Sequence, residues 1–149
     1  MKRPRTSRGR RGNALIEFAL SFFLIFAVFS GIFQFGYSFY VYNTVLASVA
    51  NAAELGSKMT YDTASPTTYS DALKNMVVYG STTAGTTSIV RGLATSNVTV
   101  TVNLAGTIPS DITITINNYT IDAVFTTFTF NGKPRATTVF MGQVSCSTC

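Results

Sequence analysis

The chain has 149 residues, with 11 lysines and arginines against 6 acids, a net charge of +5, 2 cysteines, and no histidine or tryptophan. That length accommodates one membrane segment and one small domain, and it is too short for two ordinary domains. Without histidine the chain lacks the usual general base and the commonest metal ligand, so neither a Ser-His-Asp nor a Cys-His apparatus can be assembled from it. No catalytic residue, metal site or cofactor is expected.

Residues 1–12, MKRPRTSRGRRG, concentrate the charge. Lys2, Arg3, Arg5, Arg8, Arg10 and Arg11 are six of the eleven bases, and from Gly12 onward five bases face six acids. Pro4, Gly9 and Gly12 break the segment, which reads as a disordered leader. It has no interleaved aromatic residues and abuts a long apolar run, so nucleic acid is not the expected partner. Cations cross a bilayer at high cost, and the leader is therefore expected to stay cytoplasmic while the C-terminal domain lies beyond the membrane.

From Ala14 to Val45 the chain is almost continuously apolar, more than the roughly 20 residues that one crossing needs. A helix over 13–56 would be roughly 65 Å long at 1.5 Å per residue, about twice the hydrocarbon thickness. A transmembrane segment is expected at about 14–36, with Tyr37, Tyr40 and Tyr42 as an interfacial belt. The remainder, with Phe39, Tyr42, Leu46, Val49 and Ala53 at alternating steps of three and four, forms an amphipathic stripe that should pack on a domain outside the membrane. Gly56 and Ser57 supply a stop signal. A cleaved secretory signal is the competing interpretation of the N-terminus, but its apolar core would be far shorter than this one. Glu17 is the anomaly. A carboxylate at a bilayer centre costs roughly 2.5–3.5 kcal/mol and less near the interface, and Glu17 lies about one turn inside the apolar run.

The third region, 57–149, is strand-rich. TYSDALKNMVVYGS (68–81) predicts a short helix with Ser70 or Asp71 as its cap, and 80–88 predicts a loop. VTVTVNL (98–104) and ITITI (112–116) alternate strictly, with a turn at Pro109-Ser110-Asp111 between them. The apolar phase shifts at Asn117-Asn118, and Asn131-Gly132 is a hairpin signal between TFTF and ATTVFMGQV. Three to five antiparallel strands are expected. Cys146 and Cys149 lack the helix start of a redox motif and the further soft ligands of a metal site, so a small structural disulfide is the expectation, with a bridge between subunits as the alternative. The sequons at Asn97 and Asn118 are matches that Thr-rich strands produce by chance.

RRGNALIEFAL, with Arg10, Gly12, Ala14, Glu17 and Phe18, resembles the start of the TadE-like family, pseudopilins of tight-adherence (Flp) pilus assembly with a type IV pilin-like N-terminus. Gly31, Phe35, Gly36 and Tyr40 resemble its middle, and Asn51, Ala52, Ala53 and Gly56 its helix end. Asn13 stands where standard type IV pilins carry phenylalanine, and Glu54 where this family often has arginine. The resemblance implies cleavage after Gly12 by a prepilin peptidase, an assembly role for Glu17 opposite the new amino group of Asn13 on a neighbouring subunit, and pilin or pseudopilin subunits as partners in a homo- or hetero-oligomer.

The expected fold is thus α+β and pilin-like, one long N-terminal helix, half transmembrane and half amphipathic, packed on a small antiparallel β-sheet. The expected protein is a non-enzymatic, single-pass component of the bacterial inner membrane, or of a filament assembled there for a pilus or for secretion. The alternative is an uncleaved, membrane-anchored β-domain that binds a surface ligand.

Overall fold

The computed structural model describes residues 8–122 and 127–145, with side chains from Gly12 onward. Helix α1 runs unbroken over Arg8–Lys58, 51 residues, beginning inside the expected leader and ending just past the predicted stop at Gly56. The chain divides within this helix into two compact units, Met1–Tyr37 and Ser38–Cys149.

In the first unit the helix turns nearly all of its bulk outward: Phe18 is 69% exposed, Phe23 71%, Leu24 67% and Phe33 69%. No soluble core accounts for such a row, and the helix is long and apolar enough to cross a membrane. Phe18, Phe22 and Phe26 stack at helical spacing, with ring centroids 6.2 and 6.4 Å apart.

The second unit is built around the C-terminal part of α1. Here the sequence-based stripe needs correction. Val49 and Ala53 are buried as expected, but the core line is drawn by Val41, Val45, Val49, Ala52 and Ala53, while Phe39 is 69% exposed and Leu46 38%. Tyr42 is half-buried, tilted against Phe130 at 5.6 Å. The inward face consists of small and β-branched residues, and at Gly56 the neighbouring helix comes close. A Cβ on Gly56 would meet Leu73 Cδ1 at 2.9 Å.

That neighbour is α2, Pro66–Tyr79, which starts earlier than Ser70 or Asp71. Proline in the first turn lacks the N–H that a helix start leaves unpaired anyway. Asp71 therefore falls inside the helix, 3.2 Å from Lys74 Nζ. Gly80, at φ 71°, ends α2 in the left-handed conformation and donates its N–H to the Met76 carbonyl. Leu73, Val77 and Val78 of α2 are fully buried beside the α1 line.

Seven strands form among the described residues, more than the three to five expected and in three small sheets. β1 (Tyr61–Asp62) pairs in parallel with β7 (Val144–Ser145). β2 (Val98–Ala105), β3 (Ile108–Ile116) and β6 (Arg135–Val139) form an antiparallel sheet in the order β2-β3-β6. β4 (Tyr119–Asp122) pairs antiparallel with β5 (Thr127–Phe130). The alternation in 112–116 predicted the buried row well, since Ile112, Ile114 and Ile116 are all 0% exposed. The α1 line, α2 and these isoleucines share one core, and the Thr138 hydroxyl of β6 donates to the Ala53 carbonyl at 3.0 Å.

Two turn assignments are corrected. Pro109-Ser110-Asp111 lies within β3, and the reversal falls at Gly106, where φ is 72°. Pro109 is tolerated because it pairs with Leu104 just past a register shift at Asn103/Leu104. Asn131-Gly132 does turn, with Gly132 at φ 75°, but β5 and β6 do not pair with each other. Side-chain amides determine the exit instead. Asn131 Oδ1 accepts the Asn118 N–H at 2.8 Å, and Asn117 Oδ1 accepts the Gly132 N–H at 2.9 Å. Asn97 Nδ2 closes the group by donating to the Asn118 carbonyl at 2.9 Å. The phase break at Asn117-Asn118 is therefore real, with Asn118 at φ 53°.

The last described segment straps the end of α1. Met141 N–H donates to the Ser57 carbonyl and Tyr61 N–H to the Gln143 carbonyl, both at 2.8 Å. Between these bonds a Cβ on Gly142 would collide with the Met59 carbonyl oxygen and lie 2.9 Å from the Phe140 ring. Gly142→Ala is expected to lower stability by about 1–3 kcal/mol, the usual cost of overpacking, measured by chemical denaturation of the detergent-solubilised protein; an unchanged midpoint would show that the strap does not pack as described.

Candidate functional site

The residues that stood out in the sequence lie on the first turns of α1. Gly12, Asn13 and Glu17 are all helical and exposed. The step from Asn13 to Glu17 is i to i+4, which puts both side chains on one face of the helix. No heavy atom outside the local backbone lies within 4 Å of a Cβ built on Gly12. The ion pairs among the described residues are Lys58–Glu54 and Lys74–Asp71, and Glu17 takes part in neither. The structure therefore brings Gly12, Asn13 and Glu17 together by local helix geometry alone.

The helix end behaves differently. Ala52 and Ala53 are 0% exposed and Gly56 is crowded by Leu73 and the Tyr69 hydroxyl, whereas Asn51 stays exposed. The alanine and glycine positions of this stretch are thus packing requirements. Glu54 points outward and accepts from Lys58 Nζ at 2.7 Å. That hydrogen bond and the lysine charge hold its carboxyl below the ordinary carboxylate value. Any stability it adds is present above the ordinary carboxylate pKa and fades as pH falls through the lowered one, and full exposure keeps it small.

Tyr69 was not singled out by sequence reasoning. Its hydroxyl donates to the Gly56 carbonyl, and its ring meets Tyr61 edge-on at 5.2 Å. Its partner lies 13 residues away on another helix, so no local pattern could reveal it. Burial, then the neighbouring Tyr61, push its phenol from 10.0 up to about 12. Among the described residues no group of three acidic, cysteine or histidine side chains could hold a metal ion. Cys146 and Cys149 lie outside the described residues. An open groove of about 520 Å³ runs beside Tyr40, Asn43, Ala47, Asn51 and Ile89.

With this geometry in place, comparison with known proteins adds one finding. Residues 12–54 match the family described as TadE-like protein. Searches of curated proteins and of solved structures gave no match. The matched stretch starts at the glycine that follows the arginine run and ends at Glu54; α2 and the sheets lie outside it. The matched stretch falls within the helix that is long and apolar enough to cross a membrane.

The raised Tyr69 phenol has a stability consequence. Its contribution is complete below the unfolded value of 10.0 and is lost as pH rises through about 12. Tyr69→Phe is expected to cost about 1 kcal/mol at neutral pH through the lost hydrogen bond and to flatten the alkaline decline between these values. Denaturation midpoints followed across that range check both effects, and parallel curves for the two proteins would contradict the assignment.

Proposed function

We propose that this chain, TadE-like over residues 12–54, is a structural subunit in the assembly of a Flp or type IV-like pilus or of a related secretion filament. In this reading a prepilin peptidase cuts after Gly12 on the cytoplasmic side of the inner membrane. The strand-rich domain lies on the far side, and the protein works through neighbouring pilin or pseudopilin subunits without chemistry of its own.

The observation that carries the proposal is Glu17, an exposed carboxylate on an apolar helix, outside every ion pair among the described residues. Burying one member of a charge pair without the other is strongly unfavourable, whereas a hydrogen-bonded counter-charge offsets much of the desolvation. Cleavage after Gly12 would remove all six leader cations and leave one new cation, the α-ammonium of Asn13. Its own Glu17 lies a helical turn away, and the Glu17 of a neighbouring helix can meet the ammonium across an interface. Pairing between subunits would set their stagger, and the cost of a lone carboxylate in lipid would favour assembly.

Intact-mass measurement on membrane-purified protein is expected to find Asn13 as the first residue. A chain that retains Met1 or Lys2 would instead support an uncleaved anchor carrying a ligand-binding β-domain. Glu17→Ala is expected to insert normally but to lose most crosslinking between subunits, and undiminished crosslinks would sink the role given to this carboxylate.

A further inference from the structure

The bond proposed for cleavage lies inside a helix. Since α1 starts at Arg8, the i to i−4 pattern ties the N–H groups of Gly12, Asn13, Ala14 and Leu15 to the carbonyls of Arg8, Gly9, Arg10 and Arg11. A peptidase needs extended backbone around the bond that it cuts, so these turns must open first.

Two features of the sequence here weaken the helix. Arg8, Arg10 and Arg11 sit at the positive pole of the helix dipole, and no acid occupies the first turn to offset them. Gly9 and Gly12 are poor helix formers. Nothing in the packing asks for a glycine at position 12, where an added Cβ would meet open space. At Gly56 and Gly142 the fold does require that no side chain be present.

We propose, on the premise of the processing reading above, that Arg8–Gly12 is a frangible helical turn that melts to present the Gly12–Asn13 bond, and that hydrolysis of this bond, with water supplying the new carboxylate of Gly12 and the amino group of Asn13, removes the turn irreversibly and leaves a better helix start. The new terminus would begin with asparagine, a favoured residue at the position that caps a helix. It would have exchanged three arginines at the positive pole for the single α-ammonium of Asn13 and would carry Glu17 about one turn inside, where an acid is favourable.

The test is Gly9→Ala in the full-length chain, which leaves the leader charge and Gly12 untouched. Backbone amide exchange in detergent is expected to be fast at 12–15 and slow at 20–30 in the parent protein. The variant should slow exchange at 12–15 by about fivefold, the equilibrium effect of one glycine-to-alanine change in a helix. Its cleavage by purified prepilin peptidase should slow by the same factor. Amides at 12–15 protected as well as those at 20–30, or a variant cut at the parent rate, would overturn the inference while leaving processing intact. A parent chain that is never cut would overturn processing and this inference together.

Discussion

Helix α1 has to satisfy two environments with one backbone, and the rest of the structure depends on how its side chains are allotted. From Ser38 onward the buried face carries valine, alanine, serine and glycine, and the large residues Phe39, Tyr40 and Leu46 stay outside. At Gly56 the helix meets α2 so tightly that Leu73 fills the space a side chain there would need. Fully buried Val49, Ala52, Leu73, Val77 and the three β3 isoleucines then exclude water from a single core. Before Ser38 the same helix presents phenylalanine and leucine outward, a surface stable in lipid and costly in water.

This allotment explains which parts of the fold were legible. Strict alternation at 112–116 predicted the buried isoleucine row because a period of two leaves one face for each residue. The length and apolarity of α1 were equally plain. The phase of its second half was misread because bulk was taken as the sign of burial, whereas the buried face carries valine and alanine and leaves Phe39 and Leu46 outside. The turn at Pro109 was misplaced for a related reason: proline interrupts a ladder only where its N–H would have been used. Asn131-Gly132 has the chemistry of a hairpin, yet its partners are the amides of Asn117 and Asn118, which no local pattern reveals.

The candidate site rests on a different kind of signal from the fold, one that is local in the chain. Gly12, Asn13 and Glu17 are adjacent along one helix, so their juxtaposition follows from i to i+4 geometry and needs no tertiary contact. Their signal, a lone acid after a basic run at the edge of an apolar segment, is electrostatic and survives without knowledge of packing. The helix-end residues Ala52, Ala53 and Gly56 are also close in sequence, but their burial, and at Gly56 the crowding by Leu73 and Tyr69, is tertiary.

The glycines carry the same distinction to the level of mechanism. A helical glycine weakens its helix relative to alanine, so its presence calls for a compensating contact or a state in which the helix is absent. Gly56 has the contact. Gly31 and Gly36, in open space, belong to a segment that lipid supports, where glycine is common. Gly12 has neither the packing neighbour nor a place deep in the apolar run, and it follows three arginines that oppose the helix dipole. Its cost is intelligible if the conformation that matters at this position is the extended one, reached when the turn opens, and if the helix that persists afterwards begins one residue later.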